Sequence, residues 1–181
     1  MTNPLVTLVL GGCRSGKSRH ALERAEALPA ARRLYLATCV PRDAEMQERV
    51  RRHRAERGAS WATREEPLDL AGVVAAEARP GQVLLVECLT LWVSNLLLEN
   101  AGEAGVDQAA AGLVAALERA GGPVILVSNE VGLGIVPDNP LARLFRDCAG
   151  RVNQMVAACA ATVVWTVAGI PVAVKGGPAG S

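Results

Sequence analysis

The sequence predicts an α/β fold with a mostly parallel central sheet and helices on both faces, and two observations carry this prediction. Several short apolar runs are nearly continuous rather than alternating, which is typical of strands that are covered on both faces. Segments of helical character separate these runs, and an alternation of strand and helix favours an open sheet with right-handed crossovers. The predicted strands are Leu5–Leu10, Arg33–Ala37, Val83–Val86, Val124–Val127 and Thr162–Val167.

Helical segments and turn signals complete the predicted order of elements. The predicted helices are Lys17–Leu28, Asp43–Arg57, Leu68–Ala78, Leu89–Glu99, Asp107–Ala120 and Pro140–Ala161. We expect a surface loop over Asn100–Gly105 and a last edge strand over Val172–Val174. No linker is long enough to divide two domains, so we expect one domain over residues 1–175 and a flexible, Gly/Pro-rich tail over residues 176–181.

The composition excludes several classes of protein. The 181 residues include 19 Lys and Arg against 18 Asp and Glu, so the chain lacks the basic excess of a nucleic-acid-binding protein. Aromatic residues make up only 3%, which argues against a base-stacking surface. The five cysteines form no CxxC pair, which excludes zinc-ribbon and thioredoxin motifs. Their odd number and wide spacing are typical of a reducing compartment. No apolar run reaches membrane-spanning length, so we expect a cytoplasmic protein.

A glycine-rich segment between the first strand and the first helix is the strongest motif. It fits G-x-x-x-x-G-K-[ST] with Gly11, Gly12, Cys13, Arg14, Ser15, Gly16, Lys17 and Ser18. Backbone N–H groups of such a segment and the following helix N-terminus bind phosphate, while the lysine contacts the β- and γ-phosphates and the hydroxyl binds Mg²⁺. In this context the motif predicts a single-domain P-loop (RecA-like) fold. The alternative is a strand-to-helix turn without a ligand.

An acidic residue ends the predicted strand at Val83–Val86. In an open α/β sheet the carboxyl ends of the strands meet at one edge, so Glu87 is expected beside the phosphate loop. There it would bind Mg²⁺ together with Ser18 or act as a base. The alternative is a solvated acid at a strand end.

One of the two histidines, His53, lies on a strongly charged predicted helix. Arg49, His53 and Arg57 are spaced four residues apart, so they share one helix face. Neighbouring arginines favour the neutral imidazole, which is a nucleophile, and they would bind an incoming phosphate. On spacing alone, a solvated and salt-bridged helix face is the favoured explanation of these residues. The other histidine, His20, is expected to be structural.

Two later segments are less decisive. The loop after the fourth predicted strand carries Asn129 and Glu130, for which we favour a substrate or nucleotide contact over a plain turn. Arg143, Asp147 and Arg151 share one face of the last predicted helix. A ladder of ion pairs and a substrate-binding surface explain that face equally well.

Residues along nearly the whole chain, from about Leu5 to Lys175, carry a family resemblance. They are Gly11–Arg19, Tyr35–Thr38, Asp43–Met46, Arg49, Val50, His53, Arg54, Arg57, Trp61, Thr63, Glu65, Glu87–Thr90, Ser128–Pro137, Arg143–Gln154 and Gly169–Val172. On these residues the chain resembles the bifunctional adenosylcobinamide kinase / adenosylcobinamide-phosphate guanylyltransferase family of cobalamin biosynthesis. Two positions depart from the pattern. Cys13 stands where alanine is usual, and Arg52 stands where some members have the first of two adjacent histidines.

The resemblance implies two activities and an assembly. A nucleoside triphosphate, ATP or GTP, would phosphorylate the hydroxyl of adenosylcobinamide's aminopropanol arm. GMP would then pass from GTP to adenosylcobinamide phosphate with release of pyrophosphate, through a guanylyl-histidine whose position is occupied here by His53. We therefore expect His53, Lys17 and Glu87 to be catalytic and Arg49 and Arg57 to bind the transferring phosphate. The family also implies a homotrimer.

Three other classes are considered. A regulatory GTPase is disfavoured because no Asn-Lys-x-Asp element follows any predicted strand. A RecA-like ATPase acting on nucleic acid or protein is a further class, and its nucleic-acid form is disfavoured by the balanced charge. A monofunctional small-molecule P-loop kinase is the principal alternative.

Overall fold

A seven-stranded sheet forms the centre of the protein in a computed structural model that describes residues 2–40, 48, 51, 58 and 60–177. The strands are β1 (Asn3–Gly11), β2 (Arg32–Ala37), β3 (Trp61–Glu65), β4 (Gln82–Glu87), β5 (Val124–Asn129), β6 (Ala160–Val167) and β7 (Ile170–Lys175). Their order across the sheet is β3-β2-β4-β5-β1-β6-β7. All neighbours pair in parallel except the edge strand β7, which runs antiparallel to β6.

Helices cover both faces of this sheet. They are α1 (Lys17–Ala27), α2 (Leu70–Glu77), α3 (Leu89–Leu98), α4 (Gly102–Glu118) and α5 (Pro140–Cys159). The larger core lies between the sheet and α2–α5, and a smaller core lies beneath α1 on the other face. The predicted α/β fold is confirmed, and the architecture is consistent with a P-loop nucleotide-binding fold.

The central strands owe their place to continuous apolar sequence. In β4 and β5 the side chains from Val83 to Val86 and from Val124 to Val127 are almost completely buried. Side chains of a strand alternate between the two faces, so such a run is stable only where both faces are covered. Ala21 and Ala25 of α1 are fully buried, and their small side chains let this helix lie close to the sheet.

All five predicted strands and the last edge strand are confirmed, but β3 was missed. Only Trp61 of β3 is buried, and the next four residues are exposed on the sheet edge. An edge strand with one buried side chain gives no apolar run to detect. The loop expected over Asn100–Gly105 is wrong for most of its length, because α4 begins at Gly102.

The first turn of α4 was missed for a related reason. It consists of glycine, alanine and glutamate, which give no apolar periodicity before the buried Val106. The helix predicted over Asp43–Arg57 falls almost wholly outside the described residues. Within the described part of the chain, no helix is both long enough and apolar enough to cross a membrane.

The register of the sheet places the ends of four strands at one edge. Gly11 of β1 lies beside Asn129 of β5, and Ala37 of β2 lies beside Glu87 of β4. Ligands of open α/β sheets bind outside the carboxyl ends of the strands, where the connections leave toward opposite faces. Here β1 continues into α1 on one face and β5 leads to α5 on the other, so the candidate site lies above β1, β5 and β4.

Candidate nucleotide site

The glycine-rich segment forms a tight turn between β1 and α1. Ser15 N donates to the Gly12 carbonyl at 3.3 Å, and His20 N donates to the Gly16 carbonyl at 3.0 Å as α1 begins. Arg14 and Gly16 have positive φ values of 54° and 93°. At Gly16 this conformation strongly favours glycine, since it is open to residues without a β-carbon. Successive positive and negative φ values turn backbone N–H groups toward one side, which is how phosphate-binding loops are built.

Lys17 lies across this loop. Its side chain is only 7% exposed, and its Nζ donates to the Gly12 carbonyl at 3.1 Å. A buried ammonium held against the loop backbone adds a full positive charge to the partial charges of the N–H groups and the helix N-terminus. The arrangement is suited to binding several phosphate groups of one ligand.

Glu87 lies beside the loop, at the end of β4. The Ser18 hydroxyl donates a hydrogen bond to Glu87 Oε1, and the Tyr35 hydroxyl donates to Oε2 at 3.4 Å. Hydroxyl and carboxylate oxygens are the hard donors that Mg²⁺ prefers. The Ser18–Glu87 pair therefore fits a magnesium ion at the mouth of the phosphate loop. From the sequence, Tyr35 was assigned no chemical role and was named only among the residues that carry the family resemblance.

A buried threonine, Thr38, fixes the backbone that follows β4. Thr38 Oγ1 accepts a hydrogen bond from Cys88 N and donates one to the Cys88 carbonyl, both at 2.8 Å. Thr38 N donates to the Glu87 carbonyl at 3.0 Å, and Asn95 Nδ2 donates to the Thr38 carbonyl at 2.8 Å. The peptide bond between Glu87 and Cys88 is cis. These contacts hold the main chain that directly follows the Glu87 side chain.

Comparison with known proteins decides the family to which this chain belongs. The model of the cobinamide kinase / cobinamide phosphate guanyltransferase family matches residues 7–174. The chain belongs to this family. The bifunctional adenosylcobalamin biosynthesis protein CobP of Pseudomonas aeruginosa is 47% identical over 171 residues, which cover 94% of this chain and 98% of that protein.

Two enterobacterial relatives agree with this assignment. The bifunctional adenosylcobalamin biosynthesis proteins CobU of Escherichia coli and Salmonella typhimurium are 43% and 44% identical. Each alignment covers 94% of this chain and 100% of the relative. The resemblance inferred from the sequence motifs is thereby confirmed over nearly the whole chain.

A second polar cluster of this family member lies above β5, next to the phosphate loop. Asn129 N and Nδ2 donate to Thr90 Oγ1 at 2.8 and 3.2 Å, and Glu130 N donates to the Gly11 carbonyl at 3.2 Å. Asn153 of α5 donates through Nδ2 to the Asn129 carbonyl at 3.2 Å and to Glu130 Oε1 at 3.4 Å. Asn129 and Glu130 thus lie at the sheet edge where the sequence predicted them. Their contact with a ligand stays a prediction.

Among the described residues, Arg143, Asp147 and Arg151 form no ladder of ion pairs along α5, which was one of the two explanations considered for this face. The other explanation, a substrate-binding surface, stays a prediction. Arg143 donates to the carbonyls of Pro137 and Asp138, and Arg146 donates to three carbonyls of the preceding loop. Arg151 pairs instead with two acids of α4, Asp107 at 3.1 Å and Glu103 at 3.0 Å. These side chains fasten a loop and a neighbouring helix to α5.

The buried thiol at the site is not a nucleophile at neutral pH. Burial, followed by the neighbouring Glu87 carboxylate, raises the pKa of Cys88 to about 11. The thiol therefore stays protonated at neutral pH.

The pKa of His20, on α1, is shifted in the opposite direction. Burial, followed by the charge of Arg24, lowers the pKa of His20 below its usual value against a weaker effect of Glu23. Its Nε2 is buried and has no hydrogen-bond partner among the described residues. The neutral ring fits the structural role expected for it. His53, Arg49 and Arg57, by contrast, lie outside the described residues.

Proposed function

We propose that this chain phosphorylates adenosylcobinamide with a nucleoside triphosphate and then transfers GMP from GTP to adenosylcobinamide phosphate. The products of the second reaction are adenosylcobinamide-GDP and pyrophosphate. Family membership supports both activities. The observation that carries the proposal is the meeting of Lys17, Ser18 and Glu87 at the mouth of one glycine-rich loop, which can bind a triphosphate and its metal ion.

In the kinase step, the phosphate loop binds the triphosphate from which the phosphoryl group is transferred. The substrate hydroxyl attacks the γ-phosphorus, the bond from that phosphorus to the bridging oxygen breaks, and the nucleoside diphosphate leaves. Lys17 stabilises the charge that develops on the phosphate oxygens. Mg²⁺ bound at Ser18 and Glu87 would withdraw further charge from these oxygens. Alternatively, the Glu87 carboxylate acts as the base that accepts the proton of the substrate hydroxyl.

The guanylyl transfer proceeds in two displacements. An imidazole nitrogen of His53 attacks the α-phosphorus of GTP, and pyrophosphate leaves from the phosphate loop. The phosphate oxygen of adenosylcobinamide phosphate then attacks the same phosphorus and breaks the phosphorus–nitrogen bond. Arg49 and Arg57 neutralise the transferring phosphate in both displacements.

One labelling experiment tests the covalent step. The protein is incubated with Mg²⁺ and GTP labelled at the α-phosphate, without corrinoid. We expect a covalent label that is labile in acid and stable in alkali, as phosphoramidates are. The label is lost in His53→Asn and in Lys17→Ala. The matched control is His20→Asn, which removes the chain's other histidine and keeps the label.

The outcomes separate the proposal from its alternative. A label that survives His53→Asn removes this residue from the mechanism. Absence of any label in the unmodified chain, together with phosphorylation of adenosylcobinamide, supports the monofunctional small-molecule kinase instead.

We further propose that the chain assembles as a homotrimer. The support is a stripe of exposed apolar side chains on one face of the β6–β7 hairpin. Register pairs Trp165 with Val172 and Val167 with Ile170, which places these four side chains on the same face. They are between 39% and 65% exposed. A contiguous apolar patch of this kind marks an interaction surface, and we call it the hairpin stripe.

A further inference from the structure

The turn between β6 and β7 lies directly against the phosphate loop. Gly169 N donates to the Ser15 carbonyl at 2.8 Å, across more than 150 residues of chain. This hydrogen bond joins the edge hairpin to the middle of the glycine-rich segment. No sequence motif relates the two segments, because only the folded sheet brings them together.

The backbones of the two segments approach closely. A β-carbon on Gly16 would lie 3.1 Å from Gly169 Cα, and one on Gly11 would lie 2.7 Å from the Thr166 carbonyl oxygen. Both glycines of the phosphate-binding motif are therefore covered by the end of β6 and the turn after it. The loop has little room to change shape on this side.

The Gly169 hydrogen bond fixes the orientation of one peptide group. In a trans peptide the carbonyl and the following N–H point in opposite directions. A Ser15 carbonyl held toward Gly169 therefore turns the Gly16 N–H away from the hairpin. A carbonyl facing a bound phosphate would repel it, whereas an N–H facing it donates a hydrogen bond.

We propose that the β6–β7 turn is a brace for the phosphate loop and that Gly169 is its positioning residue. Gly169 holds the Ser15–Gly16 peptide in the orientation that binds phosphate, without touching the ligand. The proposal rests on the proposed function only in so far as this loop binds phosphate. It is independent of His53 and of either transfer reaction.

The turn conformation explains why glycine is favoured at this position. Ala168 and Gly169 have φ values of 50° and 83°, as in the two-residue turns that best match the twist of a hairpin. A residue with a branched β-carbon strongly disfavours this region, whereas asparagine tolerates it. Space does not limit the position, since the Arg19 guanidinium, 3.7 Å away, is the nearest group to an added β-carbon.

The test measures the binding of inorganic pyrophosphate by calorimetry, with Mg²⁺ present. We expect Gly169→Val to weaken binding about tenfold, roughly the effect of losing one or two hydrogen bonds to the ligand. Gly169→Asn keeps the turn and the N–H and restores most of the affinity. Gly169→Ala, a milder change, falls between these two and serves if the valine variant does not fold.

Gly81 provides a matched control. It has a φ of 80° and nothing within 4 Å of an added β-carbon, but it precedes β4 at the opposite end of the sheet. Gly81→Val strains the backbone equally, yet we expect it to leave pyrophosphate affinity unchanged. The melting temperature of every variant is measured alongside, because a purely structural role would lower it without changing the affinity of the folded protein.

The possible outcomes are distinct. Unchanged affinity in folded Gly169→Val, or an equal loss in Gly81→Val, overturns the brace. Failure of the unmodified chain to bind pyrophosphate overturns the phosphate-loop interpretation on which the brace depends. Loss of guanylylation in an otherwise binding-competent protein contradicts the proposed function and leaves the brace standing.

Discussion

Thr38 bonds to the main chain around an acidic residue, and we infer that it positions the acidic side chain in this way. Its hydroxyl both accepts from and donates to the backbone of Cys88, the residue after Glu87. The threonine is fully buried, so water cannot replace these hydrogen bonds. A carboxylate at a strand end can adopt several positions, and the fixed main chain directs Glu87 toward Ser18.

Substitution of this threonine should therefore change metal binding. We expect Thr38→Val to leave the buried Cys88 N–H unpaired, to cost about 1–3 kcal/mol of stability and to raise the Mg²⁺ concentration for half-maximal kinase activity several-fold. Thr38→Ser keeps the hydroxyl, so we expect its stability and its Mg²⁺ concentration for half-maximal activity to be unchanged. Thr7→Val, at another buried threonine, is the control. A magnesium titration of the kinase rate decides, and an unchanged titration in folded Thr38→Val contradicts the positioning role.

At the scale of elements, local sequence determined some boundaries and tertiary contacts determined others. The start of α5 was predictable, because Asn139 and Pro140 are a favourable N-cap and first helical residue. The strand β3 and the first turn of α4 were not, since neither has apolar periodicity. The candidate site likewise has one part that local sequence predicts and one part that depends on tertiary contacts. Its loop follows from a local motif, whereas the contacts of Thr38 and Gly169 join distant segments.

The N-cap of α5 is a prediction at this scale. Asn139 Oδ1 accepts from Leu141 N at 2.8 Å and from Ala142 N at 3.2 Å. Asn139→Ala leaves these two donors without their partner and should lower the free energy of unfolding by about 1 kcal/mol. Asn139→Asp retains the acceptor and the stability. Urea denaturation measures the difference, with the neighbouring exposed Asp138→Ala as control. Equal stability of Asn139→Ala and the unmodified chain would show that the cap contributes nothing.

At the scale of the whole molecule, the β6–β7 hairpin has two surfaces with different surroundings. Its turn contacts the phosphate loop, and its apolar stripe faces outward at the edge of the sheet. In an isolated chain, the contact of four apolar side chains with water is unfavourable. These side chains are Trp165, Val167, Ile170 and Val172. Burial of these side chains against another copy would remove the exposed edge and cover the patch.

The last prediction concerns this stripe and the assembly. We expect the unmodified chain to sediment as a trimer and Ile170→Glu to sediment as a monomer, because a carboxylate buried in an apolar interface lacks a partner. Leu98→Glu places the same charge on an exposed apolar residue that is not part of the stripe, and should leave the trimer intact. A monomeric unmodified chain, or a trimeric Ile170→Glu, contradicts the assignment. Since the brace is formed within one chain, monomeric Ile170→Glu should still bind pyrophosphate with unchanged affinity.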